Sequence, residues 1–313
     1  MASQYIPLHF QYPHMDQSNG DSSMLSLTPG DEGDVLSSTS RRSGDFVLGV
    51  EQYGETQKPR QTLVLLHGFT GSAANWSDLL PLMAIPGRRI IALDLLGHGQ
   101  ADAPADPTRY SIVYCQADIL ATLNSLGVQS REAILLGYSM GGRIALYTAF
   151  SGFFRGLILE SASPGLATEA EREQRRQSDN TLAARIESAG VEAFIDYWEK
   201  LPLFASQNNL PAETRAALRT QRLDNRASGL ANSLRGIGTG AQPALHKRLP
   251  TLDLPTLLLA GELDAKFCQI ADQMARSIPQ ASLHLVPGAG HTIHLEQPAL
   301  FAGLVNGFCG ALC

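Results

Sequence analysis

Three residues that lie far apart in the sequence are of the types that together activate a serine: Ser139, Asp264 and His291. A serine hydroxyl is a weak nucleophile and a weak base until a histidine takes its proton. The histidine in turn needs a carboxylate that holds its ring in the correct tautomer. Ser139 lies in a Gly-x-Ser-x-Gly pattern at residues 137–141, and His291 ends a glycine-rich turn at residues 287–291. These residues predict a serine-based catalytic triad.

The segment around Ser139 predicts a strand, a sharp turn and a helix. An apolar run at residues 134–136 passes into the Gly-x-Ser-x-Gly turn, and a helical pattern follows at residues 144–150. Glycines on both sides of the serine leave room for the strained backbone of such a nucleophile elbow. The five-residue pattern alone is weak evidence, because a glycine-rich turn with an inactive serine explains it about as well. The case for catalysis therefore depends on the rest of the chain.

The acid and the histidine each have rivals in the sequence. Glu262 stands two residues before Asp264 on the same predicted loop, and His284 and His294 flank His291. His284 lies inside a predicted strand, where a packing role is expected, and His294 falls where the last helix begins. We favour Asp264 and His291 because each follows a predicted strand. Serine, acid and histidine then occur in the chain order of doubly wound hydrolases.

Two backbone N–H groups are candidates for stabilising a developing negative charge. Residues 65–71 follow a buried strand, and the turn at Phe69 can direct an N–H toward the serine. The N–H of Met140 lies at the start of the helix that follows the serine. These two residues therefore predict an oxyanion hole. His67 and His98 also follow predicted strands, and a structural role in their loops is expected of both.

The chain around these residues alternates between strand and helix patterns. Strands are predicted at residues 46–53, 62–66, 89–93, 134–136, 155–159, 256–260 and 282–286, and helices at residues 110–126, 144–150, 269–277 and 298–309. Buried apolar strands that alternate with helices indicate right-handed crossovers and a mostly parallel sheet. In such a sheet, the residues that follow the strands gather at one edge.

Residues 164–250 lack strand patterns and are predicted to form several helices. Inserted between two strands, they would lie over the strand ends where Ser139 is expected. This segment holds 12 of the 24 Lys and Arg residues of the chain, against 10 acidic residues. It is locally positive in an acidic protein, although solvated amphipathic helices explain most of these arginines. We therefore predict a core at residues 45–163 and 251–313 and a helical cap at residues 164–250.

The composition restricts the class of protein and ligand. A formal net charge of −6 in 313 residues argues against general nucleic-acid binding, which needs a basic surface. No apolar run approaches the roughly 20 residues that span a bilayer, so membrane insertion is not expected. The four cysteines show no Cys-x-x-Cys spacing and the chain has no zinc or nucleotide motif, so neither a metal nor a cofactor is predicted. Reduced cysteines are typical of a cytoplasmic protein.

The first 44 residues are rich in Ser, Gly, Asp, Gln and Pro and show no sustained periodicity. This composition predicts a disordered leader at residues 1–44. A secretory signal needs a basic start and an apolar centre, and a transit peptide is rich in Arg and poor in acid. Five acidic residues precede the first basic ones, Arg41 and Arg42, so neither targeting signal fits well.

These features together resemble the α/β-hydrolase superfamily over about residues 45–310. Within it, the sequence most resembles the 2-succinyl-6-hydroxy-2,4-cyclohexadiene-1-carboxylate synthases of menaquinone and phylloquinone biosynthesis. The motifs that carry this resemblance are Gly137-Tyr138-Ser139-Met140-Gly141-Gly142-Arg143, Ser163-Pro164-Gly165-Leu166, Gln177-Ser178-Asp179, Leu203-Phe204-Ala205-Ser206, Gly238-Thr239-Gly240-Ala241-Gln242-Pro243 and Ala260-Gly261-Glu262-Leu263-Asp264-Ala265-Lys266-Phe267. The resemblance implies a mostly parallel eight-stranded sheet with a helical cap inserted after the sixth strand.

The resemblance also implies a reaction and a small anionic ligand. In that family the triad removes a proton next to a ketone, whereupon an enolpyruvyl group leaves as pyruvate. The substrate carries three carboxylates, which guanidinium groups can hold in bidentate fashion. Arg143 lies about one helical turn after Ser139 and so is expected to face the site. Family matching adds Arg175 and Arg222.

Several assignments stay open at the level of the sequence. Tyr138 and Trp198 are implied as pocket walls, although core packing explains Trp198 about as well. Two other classes of function compete with the lyase: a serine esterase or carbon–carbon bond hydrolase, and a non-catalytic small-molecule-binding protein of the same fold. The sequence leaves the oligomeric state open. The register of the cap arginines is uncertain because four others lie close by, namely Arg172, Arg176, Arg219 and Arg226.

Overall fold

One eight-stranded sheet organises the chain in the computed structural model, which describes residues 37–43, 46–55 and 57–312. The strands are β1 (Ser37–Ser43), β2 (Phe46–Gly54), β3 (Gln61–Leu66), β4 (Arg88–Asp94), β5 (Ala133–Tyr138), β6 (Gly156–Glu160), β7 (Thr256–Gly261) and β8 (Ala281–Val286). Their order across the sheet is β1-β2-β4-β3-β5-β6-β7-β8. β2 pairs antiparallel with β1 and with β4, and every pairing from β4 to β8 is parallel. The predicted mostly parallel eight-stranded sheet is confirmed.

Helices connect the strands and cover both faces of the sheet. They are α1 (Leu80–Met83), α2 (Ile112–Ser125), α3 (Met140–Ala149), α4 (Glu169–Trp198), α5 (Ala212–Leu223), α6 (Ala227–Ile237), α7 (Ala265–Ser277), α8 (Ile293–Glu296) and α9 (Pro298–Ala311). Short 3₁₀ helices lie at Ala73–Leu79, Pro107–Tyr110, Pro202–Asn209 and Leu249–Thr251. The alternation of strands and helices places helical layers on both sides of the parallel strands.

Strand β3 shows how the sheet acquires two hydrophobic faces. All of its residues are buried, and successive side chains of a strand point to opposite faces. Leu63 and Leu65 pack in the cluster that includes α9, whereas Val64 and Leu66 pack in the cluster that includes α2 and α3. An apolar run without alternation is therefore the pattern expected of this strand, which is covered on both sides.

The predicted disordered leader extends too far toward the core. Ser37–Ser43 form β1, which pairs with β2 in register from Ser37 opposite Gln52 to Ser43 opposite Phe46. This strand completes the eight, since the sequence patterns locate only seven. Edge pairing uses backbone N–H and C=O groups and needs no apolar side chains, so a hydroxyl-rich segment gives no periodic signal. The rest of the predicted leader, residues 1–36, lies outside the described residues.

The segment between β6 and β7 contains α4, α5, α6 and two of the 3₁₀ helices, and we call it the cap. Within the described residues it contains no strand, as the sequence predicts. α4 bends at Gly190, whose φ of 83° lies in the left-handed region that favours glycine. The cap has a small hydrophobic cluster of its own, formed mainly between α4 and α6.

The cap rests on the core at a point where two glycines meet. A Cβ at Gly229 of α6 would lie 2.3 Å from the carbonyl oxygen of Gly97, in the loop after β4. A contact this short is possible only without side chains, so these glycines let α6 approach the strand ends. Within the described residues, no helix combines the length and apolar character that crossing a bilayer requires.

Candidate active site

Ser139 occupies the sharp turn between β5 and α3, with φ 51° and ψ −107°. Such a backbone is strained for a residue with a side chain, and the surrounding structure must enforce it. A Cβ at Gly137 would lie 2.3 Å from the carbonyl oxygen of Gly141, and a Cβ at Gly141 would lie 2.4 Å from that of Leu66. Both glycines of the pattern are therefore required by the close passage of the backbone.

The structure brings Ser139, His291 and Asp264 together at the carboxyl ends of the strands. His291 Nε2 lies 3.0 Å from Ser139 Oγ, and His291 Nδ1 lies 2.7 Å from Asp264 Oδ2. The other carboxylate oxygen of Asp264 accepts a hydrogen bond from the backbone N–H of Phe267 at 3.2 Å. With Nδ1–H donating to the carboxylate, Nε2 is free to accept the Ser139 proton. This geometry can convert the hydroxyl into a base or a nucleophile.

The rival residues have other partners or positions. His294 Nδ1 lies 2.9 Å from both carboxylate oxygens of Glu160, and this second pair is fully buried beside the first. Glu262 is exposed and accepts a hydrogen bond from the backbone N–H of Gly288 at 3.3 Å. His284 lies within β8, as the sequence predicts. Of these residues, His294 comes nearest to the site, since it contacts Tyr138 with ring centroids 4.8 Å apart.

The loop after β3 brings the predicted oxyanion residue Phe69 to the same cavity as Met140. His67 braces this loop, since its Nδ1 donates to the carbonyl of Gly68 at 2.7 Å and its Nε2 accepts from the N–H of Leu95 at 3.1 Å. Burial lowers the pKa of His67 to about 4, so the ring is neutral at pH 7. Burial likewise lowers the pKa of His98, whose ring centroid lies 5.1 Å from that of His67.

The cavity above Ser139 has a volume of about 260 Å³ and is lined by core and cap together. The core contributes the residues at the strand ends, and the cap contributes one wall from each of α4, α5 and α6. All predicted site residues except Asp264 line it. These are Ser139, His291, Phe69, Met140, Arg143, Arg175, Arg222, Tyr138 and Trp198. Asp264 lies behind His291, with 8% of its surface exposed.

Arg143 and Arg175 form one positive part of the cavity, and Asp179 interacts with both. The Nη1 of Arg143 donates to the carbonyl of Ile237 at 3.2 Å. Burial, aided by the charge of Arg175, lowers the pKa of Arg143 to about 9, and the group stays charged at pH 7. The Nε of Arg175 donates to Asp179 Oδ1 at 2.7 Å. Two cations and one carboxylate leave this part of the cavity with a net positive charge.

Arg222 stands elsewhere in the cavity wall, is almost fully buried and pairs with a carboxylate of its own. Its Nη1 donates to Glu199 Oε1 and its Nη2 donates to Gln207 Oε1, both at 3.1 Å. Its guanidinium carbon lies 5.6 Å from the ring centroid of Phe204. Among the described residues, the neighbouring cap arginines do not line the cavity, and each makes contacts elsewhere; they are Arg172, Arg176, Arg219 and Arg226.

Aromatic side chains close the cavity on the cap side. The ring centroid of Trp198 lies 5.4 Å from those of Phe69 and Phe204. Tyr138 lies next to Ser139, and burial raises the pKa of its hydroxyl, which is therefore neutral at pH 7. Both residues contribute to the cavity wall, as the resemblance implies. Trp198 also packs against the cap cluster, so its two possible roles are not exclusive.

Gln207, Thr292 and Lys266 are further polar residues of the cavity, and the sequence assigns no role to any of them. Thr292 directly follows His291, and Gln207 directly follows the motif at residues 203–206. Lys266 stands two residues after Asp264 at the start of α7, with its ammonium 5.8 Å from the ring centroid of Phe267. Gln207 and Thr292 stand beside recognised motifs and Lys266 stands within one, and these positions were the only available signal.

Comparison with known proteins places this geometry in a family. A family model described as the alpha/beta hydrolase fold matches residues 61–298. A Bacillus subtilis (strain 168) protein, provisionally named a 2-succinyl-6-hydroxy-2,4-cyclohexadiene-1-carboxylate synthase, is 44% identical over 250 residues, which cover 79% of this chain and 90% of that protein. The synthase of the same name from Serratia proteamaculans (strain 568) is 36% identical over 262 residues, which cover 83% of this chain and 96% of that protein.

A solved structure of MenH from S. aureus agrees with these relatives. It superposes with a TM-score of 0.80 at 39% sequence identity, covering 84% of this chain and 98% of that chain. The matches extend over the cap as well as the core, since they cover most of both chains. The chain therefore belongs to the α/β-hydrolase fold family and, within it, to the family of 2-succinyl-6-hydroxy-2,4-cyclohexadiene-1-carboxylate synthases.

Proposed function

We propose that this protein is a lyase that eliminates pyruvate from 2-succinyl-5-enolpyruvyl-6-hydroxy-3-cyclohexene-1-carboxylate. The product is 2-succinyl-6-hydroxy-2,4-cyclohexadiene-1-carboxylate, the compound for which the related synthases are named. One observation carries the proposal. The hydrogen-bonded trio of Ser139, His291 and Asp264 opens into a cavity that Arg143, Arg175 and Arg222 line.

The reaction moves one proton and breaks one carbon–oxygen bond. Ring carbon C2, which bears the succinyl group, loses its proton, and the electron pair forms a double bond between C2 and C3. The existing double bond shifts to positions 4 and 5, and the enolpyruvyl oxygen leaves from position 5. The released enolate takes up a proton and becomes pyruvate. No electrons are exchanged with a second reactant, so the reaction requires no redox partner.

We assign the proton abstraction to Ser139. Its Oγ lies 3.0 Å from His291 Nε2, so the hydroxyl can pass its proton to the imidazole while taking one from the substrate. Asp264 accepts from Nδ1 and stabilises the imidazolium that forms. The hydroxyl is too weak a base to act without these partners.

We assign stabilisation of the ketone oxygen to the backbone N–H groups of Phe69 and Met140. Loss of the proton next to the succinyl ketone places negative charge on that oxygen. Both residues line the cavity, and within the described chain neither amide donates to another protein group. Donors arranged before the reaction stabilise the transition state more than water does, because they need no reorganisation.

Three arginines suit a substrate with three carboxylates. Arg143 and Arg175 lie close enough to interact electrostatically, whereas Arg222 is held by Glu199 and Gln207, so the arginines can bind separate carboxylates. Guanidinium groups bind carboxylates through paired hydrogen bonds, which also fix orientation. Orientation matters because the proton to be removed must face Ser139.

A serine esterase or a carbon–carbon bond hydrolase would use the same trio through a covalent intermediate. The cavity speaks against this alternative, because pockets for neutral esters are mostly apolar and would leave three arginines unused. A non-catalytic binding protein would need the cavity but not the alignment of Ser139 with His291. We also propose a cytoplasmic location, since reduced cysteines and a charged small-molecule substrate are typical of that compartment.

The proposal is tested by incubating the purified protein with the enolpyruvyl substrate. Pyruvate is measured by lactate dehydrogenase and NADH, and the conjugated product is followed by its ultraviolet absorbance. We expect both signals to rise together, well above those of samples without enzyme or with the Ser139→Ala variant. p-Nitrophenyl acetate is tested in parallel. Rapid cleavage of this ester without pyruvate release would show that the protein is an esterase and not a lyase. Inactivity in both assays would favour a binding protein.

A further inference from the structure

A chain of hydrogen bonds runs through the cavity wall from the cap to the elbow. Arg222 Nη2 donates to Gln207 Oε1 at 3.1 Å, and Gln207 Nε2 donates to Thr292 Oγ1 at 2.8 Å. Thr292 Oγ1 lies 3.0 Å from the hydroxyl oxygen of Tyr138. The four residues come from four parts of the fold: α5, the 3₁₀ helix Pro202–Asn209, the loop after β8 and the end of β5. All four line the cavity.

The first link fixes the direction of the chain. A guanidinium group only donates hydrogen bonds, so the oxygen of the Gln207 amide must face Arg222. The NH₂ group of the same amide then faces Thr292 and must donate, because it has no capacity to accept. Gln207 is thereby held in one of its two amide orientations, with Arg222 at one end and Thr292 at the other.

The second link decides where the hydroxyl protons point. Thr292 Oγ1 accepts from Gln207, and its own proton needs an acceptor because only 2% of Thr292 is exposed. Within the described residues, the Tyr138 hydroxyl is the other polar group within reach of Thr292 Oγ1. When Thr292 donates to Tyr138, the Tyr138 proton is released from this pair and can be offered to the cavity. Buried polar groups gain the most when every donor finds an acceptor.

Tyr138 is suited to such a role. Its hydroxyl stays protonated at neutral pH because burial raises its pKa. Its ring centroid lies 5.6 Å from that of His291, and it lines the cavity together with Ser139, so a donor at this point is available to a ligand above the trio. Arg222, at the other end, is held by Glu199 and Gln207 at a fixed place in the wall.

We propose that Gln207 and Thr292 are positioning residues that hold Arg222 in place and turn the Tyr138 hydroxyl toward the substrate. The inference rests on the proposed function, and it extends that function to two residues outside the trio and the arginines. Gln207 and Thr292 act through Arg222 and Tyr138, which line the cavity and are the groups assigned to the ligand. If Gln207 and Thr292 were purely structural, their substitution would lower the stability of the protein. The effects of Thr292 and Tyr138 substitutions on kcat/KM would then be independent of each other.

The test is a double-mutant cycle on pyruvate release with Thr292→Val, Tyr138→Phe and the double variant. Valine keeps the shape of threonine and removes the hydroxyl. We expect Thr292→Val to lower kcat/KM about tenfold, the effect of one hydrogen bond. The double variant should lose little more than Tyr138→Phe alone, because both changes abolish the same donor. Thr292→Ser, which restores the hydroxyl, should recover most of the lost activity.

The other end of the chain is tested with Gln207→Leu and Gln207→Glu. Leucine removes both links, whereas glutamate keeps an acceptor for Arg222 and loses the donor to Thr292. We expect Gln207→Leu chiefly to raise KM, with a smaller loss for Gln207→Glu. Calorimetry with citrate, a tricarboxylate probe, gives a readout independent of turnover. Citrate should bind more weakly to Gln207→Leu than to the unaltered protein.

The outcomes separate the two proposals. Absence of pyruvate release from the unaltered protein would overturn the function, and the citrate measurement would still test the contact between Gln207 and Arg222. Independent losses for Thr292→Val and Tyr138→Phe that multiply in the double variant would overturn the positioning role. The same holds if Thr292→Ser is as impaired as Thr292→Val. Thermal unfolding of each variant identifies losses that come from unfolding alone.

Discussion

The strand ends of the core and the helices of the cap contribute to one cavity by different means. Ser139, Asp264 and His291 each follow a strand of the parallel sheet, so the spacing of the strands fixes their distances. Arg175 and Arg222 stand on helices whose placement depends on side-chain packing between α4, α5 and α6. Their environments differ accordingly, since 1% of His291 is exposed but 45% of the Arg175 side chain is.

This difference predicts that the strand ends carry out proton transfer and that the cap binds the anionic substrate. A trio fixed by the sheet can hold distances of 2.7 and 3.0 Å, which proton transfer requires. A cap of packed helices can tolerate small shifts while its charges still attract an anion, because charge attraction falls off slowly with distance. Changes at the strand ends should therefore lower kcat, and changes in the cap should mainly raise KM.

The largest effect is expected for Ser139→Ala. Without the hydroxyl, no group in the trio can take the substrate proton, and kcat should fall by about 10⁴-fold. Binding of citrate should persist, since the arginines are untouched. Steady-state pyruvate release and calorimetry measure the two quantities. Unchanged turnover would show that Ser139 is not the base. Catalysis could then no longer be assigned to the strand ends and binding to the cap.

The next effect distinguishes the two acids near His291. Asp264→Asn removes the carboxylate that holds the imidazole tautomer, and we expect kcat to fall about 10³-fold. Glu262→Gln is the matched control, because Glu262 is exposed and lies outside the trio. It should keep kcat within about twofold. Equal losses in both variants would mean that the acid is shared or misassigned.

The predictions for the cavity arginines are smaller and should appear in KM, both for Arg143 on α3 of the core and for Arg175 on α4 of the cap. Arg143→Met removes a buried cation from the cavity, and kcat/KM should fall about 30-fold, the value of a charge-assisted hydrogen bond. Arg175→Met should lower kcat/KM only several-fold, because nearly half of this side chain is exposed and Asp179 pairs with it. Arg235→Met serves as the control, since Arg235 pairs with Glu187 away from the cavity. A fall in kcat with unchanged KM for Arg175→Met would contradict the division between core and cap.

The smallest effect on turnover is expected from His67, which affects stability instead. The folded pKa of about 4 lies below the ordinary value near 6.5, so the unfolded chain binds this proton more readily. Stability is therefore complete above about pH 6.5 and declines as the pH falls toward about 4. At pH 5 the loss from this residue should be about 2 kcal/mol.

Urea unfolding of the unaltered protein and of His67→Gln at pH 7 and pH 5 measures this loss. Glutamine has no titrating group, so the free energy of unfolding should fall less between the two pH values in the variant. His98 still titrates in both proteins and sets the remaining slope. Parallel slopes would show that the His67 loop opens before the histidine is protonated.

The strand ends could be predicted from the sequence because the constraint there is local. Gly137 and Gly141 have to be glycine for steric reasons that a short pattern records, and the apolar strands before Asp264 and His291 mark where each loop begins. The same logic fails at β1, whose pairing uses the backbone and leaves no periodic trace. Its prediction as part of a disordered leader was wrong for this reason.

The cap shows why the remaining details require three dimensions. Helical spacing cannot tell Arg175 from Arg172 or Arg176, since the face of α4 that meets the cavity depends on how α6 packs against it. The links from Arg222 through Gln207 to Thr292 join residues that are 15 and 85 positions apart. No pattern of spacing in the sequence predicts contacts of this kind.

The sequence by itself determined the parallel sheet, the elbow at Ser139, the order of the trio and the family, because each depends on local sterics, on periodicity or on motifs. Only the tertiary structure decided that Glu160 pairs with His294 while Asp264 pairs with His291. It also decided which arginines face the cavity and which polar groups connect them. These outcomes depend on the packing of helices against strand ends, where a rotation of one helix exchanges one side chain for another.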